Sequence, residues 1–188
     1  MVKTYTIVMI AFAVMMLTLP KHAFAASEAG ASARLAVNQP QFTMNLVDIN
    51  YAVKKSVIRD TLEAYSSPLI GFEDEFINAC KTYGIDCYLL PAISGLESTF
   101  GKFILSGSFN PFGWGGGYIH FTNWGDAINT VARELKANYM NHGALTIEEV
   151  GHIYSESPTW AQRVRYFRNK MLESEKKQLN LSTNSVEL

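Results

Sequence analysis

The sequence predicts a mainly α-helical domain with one small irregular β-lobe or loop, rich in glycine and aromatic residues, that lines a cleft. Three observations carry that expectation. From Val53 to Met171 apolar residues recur at three- and four-residue spacing in successive stretches, separated by cap and turn residues. No stretch sustains the apolar–polar alternation of a half-buried strand. Between residues 103 and 122 the helical pattern lapses, and Gly107, Gly113, Gly115, Gly116 and Gly117 alternate with Phe103, Phe109, Phe112, Trp114, Tyr118 and Phe121 around Pro111. A segment so rich in both residue kinds is too irregular for a helix and suits a cleft wall.

The N-terminus stands apart. Met1 to Thr6 carries a single positive charge, Lys3, and Ile7 to Leu19 is almost wholly apolar. Pro20, Lys21 and His22 break that run before Ala23-Phe24-Ala25, which has small residues at the positions a signal peptidase reads. The apolar run is shorter than the roughly 20 residues a spanning helix needs. Residues 1–25 therefore read as a cleaved signal peptide, and the mature chain is expected to begin at Ala26 with no stable membrane span. That implies export, to a periplasm, a cell surface or the medium. No cysteine follows the cleavage site to carry a lipid anchor. Residues 26–45, rich in Ala, Ser and Gln without steady periodicity, read as a flexible linker.

The domain is expected over residues 46–177. Val53, Val57, Ile58, Leu62 and Tyr65 mark a first helix, stopped by Ser66-Ser67-Pro68. A second covers residues 72–83, with Phe72, Phe76, Ile77 and Cys80 on one side and Gly84 as its C-terminal glycine. Asp86 is a suitable N-cap for a third helix running to about Phe100, with Leu89, Ile93, Leu96 and Phe100 as its stripe. Pro91 lies slightly beyond the first turn of that helix, which must kink there or begin later. Asn123 to Asp126 caps a fourth helix carrying Ala127, Ile128, Val131, Leu135 and Tyr139. Thr146 and Glu149 form a capping box for a short fifth. Ser157-Pro158 opens the last, with Trp160, Val164, Phe167 and Met171 inward. The tail at 178–188 is polar and expected to fray.

Charge excludes one class of partner. Removing residues 1–25 takes away Lys3 and Lys21 and no acid, leaving 14 basic against 17 acidic residues, a net of −3. Nothing in that balance points to nucleic acid. His120, His142 and His152 are scattered without metal-ligand spacing, and neither a metal nor a cofactor is expected. Cys80 and Cys87 would lie roughly 10 Å apart along one helix, too far to bridge. Gly84 between them implies a break that folds the sulfurs together, so a disulfide and two buried thiols are both open, the disulfide favoured by export.

Glu97 is the residue whose position points to chemistry. It lies four residues after Ile93 and three before Phe100, beside the apolar stripe, in the last turn of its helix. Partial burial and the negative helix end both disfavour its ionisation, and a carboxyl kept protonated near neutral pH can protonate a leaving oxygen. Periodicity alone equally allows a surface Glu reaching for Lys102. The glycine-aromatic segment immediately downstream tips the balance, because aromatic faces such as Phe112, Trp114 and Tyr118 suit the apolar faces of sugar rings.

Two blocks carry a resemblance. Ala92-Ile93-Ser94-Gly95-Leu96-Glu97-Ser98-Thr99-Phe100-Gly101-Lys102, followed by Asn110-Pro111-Phe112-Gly113-Trp114, resembles the glucosaminidase family of peptidoglycan hydrolases. That family belongs to the lysozyme-like superfamily, with goose-type lysozymes and soluble lytic transglycosylases. Its pattern is a catalytic Glu, a small residue, any residue, an aromatic, Gly and Lys, with Asn, two residues, Gly and an aromatic or aliphatic about ten positions on. The specific likeness covers residues 86–124, and helical order extends it to roughly 54–172.

The resemblance implies an α+β lysozyme-like fold, a peptidoglycan glycan strand as substrate and Glu97 as general acid. It also implies a catalytic-site place for Tyr154 and substrate-side places for Ser98, Asn110, Phe112, Trp114 and Tyr118. The sequence departs from some members in one respect: Phe103 to Phe121 contains no Asp or Glu where a second carboxylate could stand. Asp126 is explained by its cap, Glu134 has no distinguishing context, and Glu156 reads as a loop acid near Tyr154. Three outcomes stay open: an endo-β-N-acetylglucosaminidase, a lysozyme-type muramidase, and a lytic transglycosylase. Two readings of another kind stand beside them, an inactive glycan-binding envelope module and a helical partner of an envelope machine.

Overall fold

In a computed structural model of the chain, the described residues are 46–184. The expected signal peptide (1–25), the expected linker (26–45) and the last four tail residues lie outside them. Six α-helices follow in order: α1 Leu46–Ala64, α2 Glu73–Tyr83, α3 Leu89–Ser98, α4 Trp124–Glu134, α5 Ile147–Tyr154 and α6 Trp160–Asn184. Helix α4 continues through a π-helical turn, Leu135–Tyr139, and a short 3₁₀ turn, Met140–His142. No described helix is long and apolar enough to cross a membrane.

Helix α3 is the centre of the packing. Leu89 through Gly95 are all buried, so this helix is apolar around its whole girth and must be surrounded. It lies against α6, which also receives α1 and α5, while α2 packs on α4 and α1. The predicted stripes point inward: Val57, Ile58 and Leu62 of α1, Ile128 and Val131 of α4, and Val164 and Met171 of α6 are fully buried.

Local chemistry sets most helix ends as expected. Gly84 closes α2 in the left-handed conformation, φ 62°, and its N–H donates to the Cys80 carbonyl. The turn it permits brings Cys87 back to Cys80, and the two are joined in a disulfide with Cα atoms 4.9 Å apart. Asn123 caps α4 by accepting from the Asp126 N–H at 2.9 Å. Thr146 and Glu149 form the capping box of α5.

Helix α3 begins later, one of the two outcomes Pro91 allowed, and stops short of the expected Phe100. It starts at Leu89 rather than beside Asp86, so Pro91 falls in the first turn, where its missing N–H leaves no hydrogen bond unmade. Asp86 is not its cap. Its Oδ1 accepts from the Tyr88 N–H at 2.9 Å, and its Oδ2 accepts from Arg168 on α6. At the other end α3 stops at Ser98, because Thr99 (φ 51°) and Phe100 (φ 56°) turn left-handed ahead of Gly101 (φ 83°). The reversal folds the Phe100 ring back beneath Gly95, where a Cβ would stand only 2.7 Å from ring carbon Cζ. The ring is fully buried against Tyr65 and Phe167, with centroids 4.6 and 5.4 Å away.

The glycine-aromatic segment is a loop, not a β-lobe: among the described residues there is no strand. Gly113, Gly115, Gly116 and Gly117 all sit at φ between 61° and 84°, outside the extended backbone that a strand ladder needs. One backbone bond, Phe121 N–H to the Ser108 carbonyl at 2.8 Å, draws its two ends together. The last helix begins at Trp160, later than Ser157-Pro158, and extends past Lys177 to Asn184. Its continuation is tied down, since Gln178 donates to Asp60 of α1 at 2.8 Å.

Gly95→Ala tests the reversal. Alanine normally favours a helix interior by about 1 kcal/mol, but here its Cβ meets a ring with no room to move. Net destabilisation of about 1–3 kcal/mol is expected from overpacking, read by urea unfolding.

Candidate active site

Glu97 is the penultimate residue of α3, and the reversal after Ser98 leaves its side chain at the edge of the core. The carboxyl is held on two sides. Oε1 accepts from the indole N–H of Trp160 at 2.7 Å. Oε2 lies against the bare α-carbon of Gly113, where a Cβ would come within 2.9 Å of it. A side chain at position 113 would displace the carboxyl, and Gly113 also needs its φ of 62°. Glu97 thus turns to Trp160 rather than to Lys102.

The loop opposite is pinned by Asn110. Its side-chain amide donates to the carbonyls of Trp114 (2.8 Å) and Ile119 (3.1 Å), and its Oδ1 accepts from the Trp114 N–H (3.0 Å). One buried side chain thereby closes a turn that no strand pairing supports. Ser98 joins this loop to α3: its hydroxyl donates to the Pro111 carbonyl at 2.7 Å and accepts from the Gly101 N–H at 2.8 Å. Both polar groups are used up inside the protein.

An aromatic wall completes the site. Tyr154, the last residue of α5, stacks on Trp160 with centroids 4.9 Å apart and donates its hydroxyl to the Phe112 carbonyl at 2.6 Å. Trp114 meets Tyr154 edge-on at 5.5 Å, and Tyr139 of the π-helical turn lies 6.1 Å from Trp114. Two open grooves share Gly113 and Gly116 in their linings. One, about 550 Å³, includes Glu97, Phe103, Asn110 and Tyr118. The other, about 370 Å³, includes Trp114, Tyr139 and Tyr154. Among the described residues, Glu97 is the one carboxylate that lines either groove. A hollow of about 590 Å³ between α1 and α6 is larger, but Arg168 and Lys54 on its wall are already paired, with Asp86 and Glu175.

Electrostatics single out the same carboxyl. Glu97 stands exposed to the groove, yet the walls around its carboxyl push its pKa up from the ordinary value, against the smaller opposing pull of the Trp160 N–H and the Arg163 charge. Its place at the carbonyl end of α3 acts in the raising direction too. Burial, then the neighbouring Glu97 charge, hold the Tyr154 phenol well above its usual range, so it stays protonated. Asp126 is shifted the other way, lowered first by the Thr122 backbone N–H at 2.9 Å, as a cap residue should be.

The sequence-predicted residues thus divide. Glu97, Trp114, Tyr118 and Tyr154 do converge on the grooves, with Tyr118 79% exposed at the rim. Phe112 does not offer its ring: it is fully buried, and only its carbonyl faces the site. Ser98 and Asn110, 3% exposed each, act as scaffold for the loop rather than as free polar contacts. Sequence reading missed Trp160 and Gly113 as contacts of Glu97, and Tyr139 as part of the aromatic wall. Trp160 and Tyr139 carried only the signal of a core stripe, while Gly113 stood in the second family-like block with no sign of which side chain it would meet. Among the described residues no group of His, Cys, Asp and Glu is arranged to hold a metal ion.

Two measurements follow from this geometry. Asn110→Ala removes three hydrogen bonds at about 0.5–1.5 kcal/mol each, so a loss of about 2–4 kcal/mol is expected in denaturant unfolding. Glu97→Gln keeps an acceptor for Trp160 and removes a carboxyl that binds its proton more tightly folded than unfolded. Wild-type stability should therefore fall as pH rises from about 4.5 through the raised folded value. Above that window Glu97→Gln should be at least as stable as wild type. Thermal unfolding across pH checks it, and a variant less stable at neutral pH contradicts it.

Comparison with protein-family models and with curated proteins finds no match to this chain.

Proposed function

We propose that the protein is a peptidoglycan hydrolase that cleaves β-1,4 glycan strands with Glu97 as its general acid, most simply as an endo-β-N-acetylglucosaminidase of lysozyme-like type. One observation carries the reading. A carboxyl with a raised pKa stands at a helix end, on the floor of an open groove, beside exposed and half-buried aromatic rings. That combination suits a glycan: rings stack on sugar faces while the acid protonates the glycosidic oxygen. The residue blocks around Glu97 and Asn110 that resemble the glucosaminidase family support it independently.

Glycoside hydrolysis ordinarily uses two carboxylates. With Glu97 alone lining the grooves among the described residues, the second role passes to the substrate. The 2-acetamido group of an N-acetylated sugar attacks the anomeric carbon as the Glu97 proton moves to the leaving oxygen, and water then opens the cyclic intermediate. The same economy favours a second reading, a lytic transglycosylase, in which a muramyl 6-hydroxyl supplies the nucleophile and an anhydro sugar results. Export through the segment 1–25 would deliver either enzyme to its substrate.

Tandem mass spectrometry of borohydride-reduced fragments released from purified cell walls separates these outcomes. An anhydromuramyl end is lighter by one water and resists reduction, and the two hydrolysis products, isomers of equal mass, are told apart by which terminal sugar carries the reduced end. Glu97→Gln should stay folded and lose about 10²–10⁴-fold in fragment release. Asp126→Asn should lose far less, because its carboxylate is engaged by Thr122 ahead of α4 and lines neither groove. A wild-type protein that binds walls and releases nothing would leave only the glycan-binding module.

A further inference from the structure

We propose that Trp160 is a positioning residue that decides which oxygen of Glu97 carries the transferable proton. The inference rests on the acid role given to Glu97 above. An indole nitrogen can only donate. With its N–H aimed at Oε1 at 2.7 Å, the indole favours the form in which Oε1 is the carbonyl oxygen, the stronger acceptor of the two. The proton is therefore kept on Oε2, the oxygen against Gly113, where the two grooves meet.

The indole itself has no freedom to turn away. Trp160 is 3% exposed, and its Cε3 lies 2.9 Å from where a Cβ on Gly151 would stand. Tyr154 stacks on its other side, and the phenol of that tyrosine is anchored on the Phe112 carbonyl. Gly151, Tyr154 and the loop together thus form a rigid seat for one N–H. A loosely held donor would leave the two oxygens equivalent, and half of the protonated population would point its hydrogen away from substrate.

The charged and titratable groups around this carboxyl are few. Arg163, on α6 with Trp160, favours the ionised form, as the indole does. Tyr154 on α5 faces it as a neutral phenol, and Tyr139 faces Tyr154 in turn. From the loop, Gly113 brings no charge. Removing the indole N–H therefore has an unambiguous sign: the ionised carboxylate loses a donor, and its pKa rises further.

The test uses the full chain with Trp160→Phe, and a second variant in which Trp160 is exchanged site-specifically for benzothienylalanine, which keeps the bicycle and replaces N–H by sulfur. Carbon-13 NMR of labelled glutamate follows the Glu97 titration without requiring turnover. Kinetics on soluble glycan strands from purified walls give kcat and KM against pH. The expected result is an upward shift of the Glu97 midpoint in both variants. With it comes a fall in kcat of about ten-fold or more, the scale of one hydrogen bond to a charged group, with KM nearly unchanged. An unmoved midpoint, or an unaltered kcat, in the folded variants overturns the proposal. Failure of the underlying reading shows separately, as wild-type protein that releases nothing, and the midpoint still decides whether the indole holds the carboxyl.

Discussion

The ring of Phe100 fills the space that a side chain at position 95 would occupy, and this contact sets where α3 stops. To reach it, Thr99 and Phe100 adopt left-handed backbone conformations that cost of order 1 kcal/mol or more each. Burial of a whole aromatic ring between Tyr65 and Phe167 offsets that cost, since a phenylalanine contributes about 1.5–3 kcal/mol on leaving water. Ser67 locks the turn by donating to the Phe100 carbonyl at 2.6 Å. Were α3 to continue by two residues, Phe100 would follow its helical stripe, and Ser98 could not hold Pro111. The reversal therefore sets the position of Glu97, the attachment of the loop and the direction in which the chain leaves the core.

Past that reversal, order comes from buried polar groups rather than from secondary structure. A loop with four left-handed glycines in five positions has large conformational entropy to lose and no ladder to hold it. Asn110 and Ser98 compensate by taking up backbone donors and acceptors that would otherwise lie buried and unpaired. The glycines remain necessary for a second reason: Gly113 lets backbone lie against the Glu97 carboxyl, which no larger residue would permit. The wall of the groove is thus soft in sequence and rigid in hydrogen bonding.

The surroundings of Glu97 hold it between two tendencies. Desolvation raises its pKa, while the Trp160 donor and Arg163 moderate the rise. For the general acid proposed here, the net direction is upward, which favours the protonated form that can donate. Tyr154 contributes without titrating: its neutral hydroxyl binds the Phe112 carbonyl, and its face supports Trp160. A site of this kind is built from packing as much as from charge.

Helix positions and most of their ends were legible in the sequence, because they follow from local chemistry: the apolar spacing of Val57, Ile58 and Leu62, the glycine at 84, the capping box at Thr146 and Glu149. The same spacing put Glu97 beside an apolar stripe at a helix end but equally allowed a surface carboxylate, and the glycine-aromatic segment downstream tipped that balance. The early stop of α3 was not legible, since it depends on Phe100 meeting Tyr65 and Phe167, residues brought near by α1 and α6. For residues 103–122 the sequence left a loop and a small β-lobe both open, and the left-handed glycines decide for the loop. The ring of Phe112 was assigned to the groove because aromatic identity says nothing of which way a loop turns. Trp160, 63 residues from Glu97, had only the pattern of a core residue until α6 folded onto α3. The sequence by itself determined the helices and placed the Glu97 carboxyl beside an apolar stripe; tertiary packing alone decided which groups surround that carboxyl, because those contacts join segments whose local patterns carry no information about one another.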